Sequence, residues 1–194
     1  MPSNVADRNL VLELREGKLE AMDHLYTAYR TAIFGFLLRL AKDRPLAEDL
    51  FQNTWIKVAK NASRLREDTD LRAWLFTVAR NEFRSYRRWQ VVDLSQLFLL
   101  TVEMSSRASH DPGAAHQSPG LDALETALAA LATSDREVLL LVCVEGMPRE
   151  KAAIVLGISD STLRQRIARA RARLKDELTK LGAEPPLARQ ERAR

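Results

Sequence analysis

The stretch from Pro148 to Lys175 constrains this chain more than any other part of it. It reads Pro-Arg-Glu-Lys-Ala-Ala-Ile-Val-Leu-Gly-Ile-Ser-Asp-Ser-Thr-Leu-Arg-Gln-Arg-Ile-Ala-Arg-Ala-Arg-Ala-Arg-Leu-Lys. Pro148 suits the first turn of a helix, where a missing N–H leaves nothing unsatisfied, and Gly157 suits a left-handed residue at a helix C-terminus. Ser159 can then cap a second helix by accepting a backbone N–H two or three residues on. A short helix, a glycine turn and a capped basic helix together predict a helix-turn-helix.

At about 100° per residue, Leu163, Ile167, Ala170 and Leu174 fall on one stripe that must pack inward. Arg164, Arg171 and Lys175 form a row on one flank, and Arg166, Arg169 and Arg173 a row on the other. Opposite the stripe lie Gln165, Ala168 and Ala172, none of them bulky. Such a helix can enter a major groove on its small outer face, with Gln165 or an arginine at base edges and the flanking rows astride the phosphates. The competing reading is a solvated amphipathic helix. Ordinary solvated helices mix signs, whereas here no acidic residue interrupts the basic ones until Asp176, which favours nucleic acid.

A formal charge of +4 over 194 residues is modest, so contact with a polyanion must come from local clusters, at residues 80–88 and 164–175. The lone cysteine, Cys143, has no partner for an internal disulfide, which suits a reducing compartment. Its apolar surroundings, Val138 to Val144, predict a core position. The first ten residues are polar, with no apolar stretch of a secretory signal, and no segment has the length to span a bilayer. A soluble, cytoplasmic protein is expected. Apolar residues recur at three and four rather than two, so the chain is expected to be all-α: two small helical domains joined by a flexible linker, the C-terminal one a helix-turn-helix.

A short helix is expected from Leu10 to Glu16, ended by Gly17, and a second from Leu19 to Leu40 with Leu25, Tyr29, Ile33, Phe36, Leu37 and Leu40 on a buried face. A third begins at Pro45 or Leu46 and runs to Val58. It turns Leu50, Trp55 and Val58 inward and leaves Glu48, Asp49, Gln52 and Asn53 on a polar face. Taken alone, those acids at the start of a helix are a favourable dipole arrangement. Residues 61–70 form a polar loop. From Leu71 to Trp89 a buried amphipathic helix becomes a basic one, where Arg80, Arg84, Arg87 and Arg88 oppose only Glu82. Arginines with interleaved aromatics suit unpaired nucleic acid, and the loop beside them can catch an unpaired base. For the rings of Phe83, Tyr86 and Trp89 a place in the core is the favoured alternative.

Residues 91–120 read as a linker whose first part carries the apolar Leu94, Leu97, Phe98, Leu99 and Leu100 and whose second part is rich in Ser, Ala, Pro and Gly. His24, His110 and His116 lack the companions of a metal site, so neither metal nor cofactor is expected. Leu121, Leu124, Leu128 and Leu131 mark the next helix. Ser134-Asp135-Arg136-Glu137 matches a capping box opening the apolar helix of Cys143, Glu145-Gly146 ends it, and the tail from residue 181 to 194 is expected to be disordered.

Three motifs carry a resemblance: Ala47-Glu48-Asp49-Leu50-x-Gln52-x-Thr54-Trp55, then Leu71-Arg72-Ala73-Trp74-Leu75-x-Thr77-Val78-Ala79-Arg80-Asn81, then the helix-turn-helix. In this order and spacing, over roughly residues 18–90 and 121–178, the chain resembles the small extracytoplasmic-function group of the sigma-70 family of bacterial RNA polymerase sigma factors. The resemblance implies a domain at 10–90 that binds core polymerase and recognises and melts the −10 element, a linker at 91–120 that passes near the RNA exit path, and a −35-binding domain at 121–180. It implies contact of Glu48, Asp49, Gln52 and Asn53 with the clamp helices of the largest polymerase subunit. It implies −10 contacts from Asn61, Ser63, Arg64, Arg80, Asn81, Arg84, Arg87 and Arg88, and −35 contacts from Ser161, Thr162, Arg164, Gln165, Arg166 and Arg169. It also implies a cognate anti-sigma factor, often membrane-associated, with no membrane insertion by the chain itself. Two positions depart from the family pattern: Pro148 stands where Ser or Thr is frequent, and Ser159-Asp160-Ser161 replaces a common Pro-x-Gly. The rival is a helix-turn-helix regulator that binds DNA without polymerase, which leaves the 46–58 motif and the basic aromatic segment unexplained. No phosphate loop, nucleophile set or zinc spacing points to an enzyme.

Overall fold

Every regular element among the described residues is helical. The computed structural model describes residues 5–97 and 119–183, which fall in two compact units. In the first, α1 (Val5–Arg15), α2 (Leu19–Ala41), α3 (Arg44–Asn61) and α4 (Leu71–Leu97) surround one core. Gly17, at φ +76°, makes the turn out of α1. On α2 the expected face is buried through Leu25, Ile33, Phe36, Leu37 and Leu40, with Tyr29 half-buried. Phe36 meets Phe76 of α4 edge-on at 5.2 Å between ring centroids, and Leu50 and Val58 of α3 close the third side.

α3 starts one residue earlier than its proline suggests. The carboxylate of Asp43 accepts the N–H of Leu46 at 2.8 Å and caps the helix, which leaves Pro45 in the first turn, where it has no hydrogen bond to lose. Asp43→Ala is expected to cost about 1 kcal/mol and to lower the melting temperature of this unit by about 4–8 °C, readable by circular dichroism.

The segment after α3 is more ordered than a polar loop. Ala62–Arg64 form a 3₁₀ turn, and Leu65 is buried. Glu67 pairs with Arg8 at 3.1 Å and Arg15 at 3.5 Å, both on α1. The Asp70 carboxylate then caps α4 by accepting from Ala73 N–H at 2.8 Å. α4 continues to Leu97, past residue 90 where the first domain was expected to end.

The second unit comprises α5 (Pro119–Ala130), α6 (Thr133–Leu139) running on into a π-helical turn at Leu140–Val144, α7 (Arg149–Leu156) and α8 (Asp160–Lys180). Leu128 of α5, Leu131 just past its end, Leu139 of α6 and Ala170 of α8 share a cluster that Leu124 and Leu174 complete. The expected capping box is absent. α6 begins at Thr133 with Ala132 at its cap and no side-chain bond there, because Asp135, Arg136 and Glu137 are turned into the unit and buried. The Arg136 guanidinium donates to the carbonyls of Leu128 and Ala129, each at 2.9 Å, and of Leu131 at 2.6 Å. It thereby serves carbonyls where α5 ends and has no further turn to bond them, with the Leu128 carbonyl also accepting the Leu131 N–H at 3.2 Å.

Cys143 is exposed, not part of the core. The π turn is the reason: Glu145 N–H reaches back five residues to Leu140 at 2.8 Å and Met147 N–H six residues to Leu141 at 2.9 Å. The widened turn shifts the apolar run off register. Val138 to Leu141 stay inside while Cys143 and Val144 rotate out. The linker residues Phe98, Leu99, Leu100, His110 and His116, and the tail from residue 184, lie outside the described residues.

Candidate nucleic-acid and protein interfaces

The helix-turn-helix forms as its punctuation requires. Gly157 ends α7 at φ +63° and sends its N–H back to the carbonyl of Ile154 at 3.0 Å. The side-chain oxygen of Ser159 accepts from Thr162 N–H at 3.2 Å and lies 3.0 Å from Ser161 Oγ and 2.8 Å from Thr162 Oγ1. Pro148 stands at the cap of α7 rather than inside its first turn. Leu163, Ile167 and Ala170 are buried, Leu174 half-buried and Leu178 buried one turn further on, so the inward stripe is as expected.

The outer surface of α8 carries Ser161, Arg164, Gln165 and Arg169, all exposed, with Thr162 and Arg166 half-buried beside them. Asp160, which by its charge would repel a phosphate, is bound to Arg164 at 2.8 Å, one turn on. The two flanking rows are not equivalent. Arg173 is drawn away to the buried carboxylate of Asp135 on α6, and Arg171 lies 3.7 Å from the Cys143 sulfur. The surface left for a groove therefore sits at the N-terminal half of α8, where N–H groups also point outward and favour anions.

In the first unit the acidic face of α3 is intact. Glu48, Asp49, Gln52 and Asn53 are all exposed, and Arg44 holds Glu48 at 3.0 Å while lying 5.8 Å over the ring of Phe34. Ile56, half exposed at 50 %, extends the same face. The residue is four beyond Gln52, a spacing visible in the sequence, but an isoleucine in a helix reads first as core.

The basic end of α4 differs from expectation in three ways. Arg80 is buried, at 6 % exposure, and so is not on the surface available to DNA. Glu82, the single acid opposing the arginines, is buried too and bonded to Lys57 of α3. The rings divide: Phe83 is core, Tyr86 is half-buried with its hydroxyl accepting from Gln90 at 2.9 Å, and Trp89 is exposed. Asn81, Arg84, Arg87 and Arg88 are exposed as expected, as are Ser63 and Arg64. Asn61 is half-buried and commits its amide N–H to the Lys57 carbonyl at 2.8 Å.

An all-helical chain whose second unit offers one basic helix on a helix-turn-helix scaffold belongs to the class of proteins built to present that helix to duplex DNA. Comparison with known proteins narrows the class. Residues 25–91 match the Sigma-70 region 2 family and residues 121–174 the Sigma-70, region 4 family. The chain is 30 % identical over 154 residues to the ECF RNA polymerase sigma factor SigM of Bacillus subtilis, covering 79 % of this chain and 93 % of that one. Its fold is similar to that of the sigma factor RpoE in complex with the anti-sigma factor NepR from Bartonella quintana, with TM-score 0.71 and 28 % identity, covering 83 % of this chain and 98 % of the other. It is also similar to CnrH in complex with the cytosolic domain of CnrY, with TM-score 0.67 and 26 % identity, covering 90 % and 98 % respectively.

The chain belongs to the extracytoplasmic-function group of the sigma-70 family. It is an alternative sigma factor that directs transcription initiation with RNA polymerase. Sigma factors supply promoter choice to a polymerase and are not themselves a class of enzyme. Among the described residues no helix is long and apolar enough to cross a membrane.

Proposed function

We propose that the two units divide promoter recognition between them. The unit at 10–90 docks on core polymerase through Glu48, Asp49, Gln52 and Asn53, with Ile56 as an apolar addition to that face. Ser63, Arg64, Asn81, Arg84, Arg87 and Arg88 engage the −10 element, with Asn61 beside them and Arg80 in a supporting position inside the fold. The unit at 121–180 holds the −35 element in duplex form through Ser161, Thr162, Arg164, Gln165, Arg166 and Arg169. Residues 91–120 connect the two. Joined on one polymerase, two weak half-sites become effectively intramolecular and bind tightly together. The chain carries no catalytic groups of its own, acts in the cytoplasm, and is held inactive by a cognate anti-sigma factor, membrane-anchored in some systems. RpoE is found in complex with the anti-sigma factor NepR, and CnrH with the cytosolic domain of CnrY.

The observation that carries this reading is the segregation of charge. One helix, α3, exposes acidic residues, and two others, α4 and α8, expose basic ones, as a protein that touches one protein and two stretches of DNA requires. The test is reconstitution: the purified chain is mixed with bacterial core polymerase and a pool of promoter fragments, and transcripts are sequenced. Start sites sharing upstream −35 and −10 sequences are expected. Duplex binding without assembly on core would point instead to a regulator that acts alone. Replacing Asp49 and Gln52 together by alanine should weaken assembly on core by about tenfold or more, as loss of central interface residues does, while the C-terminal unit's affinity for duplex DNA stays unchanged. Native gel shift with labelled core reads the first and anisotropy the second.

A further inference from the structure

Asp160 opens α8, and Arg164 one turn on reaches back to it, with Nη2 2.8 Å from Asp160 Oδ2. Among the described residues, Arg164 alone of the three arginines proposed for the −35 element has an acidic partner. The helix does not need Asp160 as its cap, because the Ser159 hydroxyl already accepts the Thr162 N–H at 3.2 Å. Nor is the pair a strong stabiliser, with its two side chains 47 % and 62 % exposed. Its geometry matters more than its strength. Helical side chains lean toward the N-terminus, so an arginine held by a carboxylate four residues earlier keeps its guanidinium over the first turn, the part of a recognition helix that meets base edges. The one contact at Nη2 leaves donors of the fork for a second partner.

An unrestrained arginine finds phosphates at any sequence, and each such contact adds affinity without information. The Asp160–Arg164 pair has no net charge, and its carboxylate repels phosphates, so it gains little from the DNA backbone. Guanine differs, since its O6 and N7 present two acceptors that match an oriented fork. We propose that Asp160 is a positioning residue for −35 specificity: it holds Arg164 as a fork for guanine and keeps the guanidinium from taking a phosphate instead. This rests on the −35 role proposed for the second unit and adds to it the residue that exchanges affinity for selectivity, using repulsion as well as attraction. An arginine oriented before DNA arrives also loses less side-chain freedom on contact.

The test uses the full-length chain assembled with core polymerase and a promoter fragment taken from the reconstitution pool, together with versions substituted at each −35 base pair in turn and one with the −35 segment scrambled. Arg164→Ala identifies the position read by that side chain as the one where the preference for guanine disappears. At that position Asp160→Ala should lower the guanine preference by about tenfold, within the range of one bidentate contact, and leave the other positions like wild type. On the scrambled fragment the same variant should bind more tightly than wild type, with a log–log salt slope steeper by about one as the released arginine neutralises one more phosphate. Asp160→Asn, which removes the charge and keeps the size, should shift both readouts in the same directions. In an Arg164→Ala background, Asp160→Ala should change no base preference. Weaker binding of Asp160→Ala to every fragment, the result of a purely structural role, or an unchanged guanine preference would overturn the proposal, as would an Arg164→Ala variant that keeps every preference. A wild-type assembly indifferent to scrambling of the −35 segment would instead overturn the −35 reading, and the role of Asp160 with it.

Discussion

Arg136→Ala is expected to unfold the C-terminal unit, or bring it close to unfolding, with a loss on the order of 3–5 kcal/mol. The residue is buried and its guanidinium serves three carbonyls at the end of α5. Truncation leaves those acceptors inside the protein without that donor and opens a cavity between α5 and α6. A small domain has about 5–15 kcal/mol in total, so this one change removes a large part of it. Urea unfolding followed by circular dichroism should show a separate early transition that the wild type lacks. Arg136→Lys should recover little, because one ammonium cannot reproduce a planar fork that meets three acceptors. A wild-type unfolding curve for Arg136→Ala would mean the carbonyls find water instead.

The second large effect concerns promoter choice. Arg164 and Arg166, replaced together by alanine, should reduce initiation at promoters bearing a −35 element by at least about tenfold and up to about a thousandfold, since each good bidentate contact discriminates by about 1–3 kcal/mol. Binding to core polymerase should stay intact, because both side chains belong to α8 of the second unit, whereas the face proposed for core belongs to α3 of the first. Asp160 makes the double change more severe than a loss of two contacts: without Arg164, its carboxylate is left unneutralised at the groove-facing end of the helix. Asp160→Ala added to the double variant should therefore restore part of the lost affinity. In vitro transcription and core-binding assays on the same preparations separate the two functions, and a loss of core binding would overturn the division between units.

The parts of this molecule legible in the sequence were those written in local chemistry. Gly157 and Ser159 punctuate the helix-turn-helix through bonds that span only three or four residues, and the stripe on α2 follows from helical period alone. What escaped were decisions made by packing. Arginine is usually a surface residue, so nothing local marked Arg80 and Arg136 as buried; only the company of α5's last carbonyls explains the second. The rings on α4 show how far period can go. A spacing of three falls short of a full turn by about 60°, so Phe83, Tyr86 and Trp89 spiral from the core through its edge into water, which geometry alone permits but only the position of the core decides. The capping box failed for a similar reason, because Asp135 and Glu137 were needed inside. The acidic face of α3 was visible as a pattern, whereas its extension through Ile56 was hidden by the ordinary preference of isoleucine for the interior.

The π turn in the second unit has a practical consequence as well. By rotating Cys143 out of the apolar run, it gives a chain with a single cysteine one reachable thiol, and that thiol stands within 3.7 Å of Arg171 on α8. A thiol-reactive fluorophore would attach there alone, without any engineered change, close to the basic helix yet off the surface assigned to the groove. The protein thus supplies its own optical reporter for the moment at which that helix meets DNA.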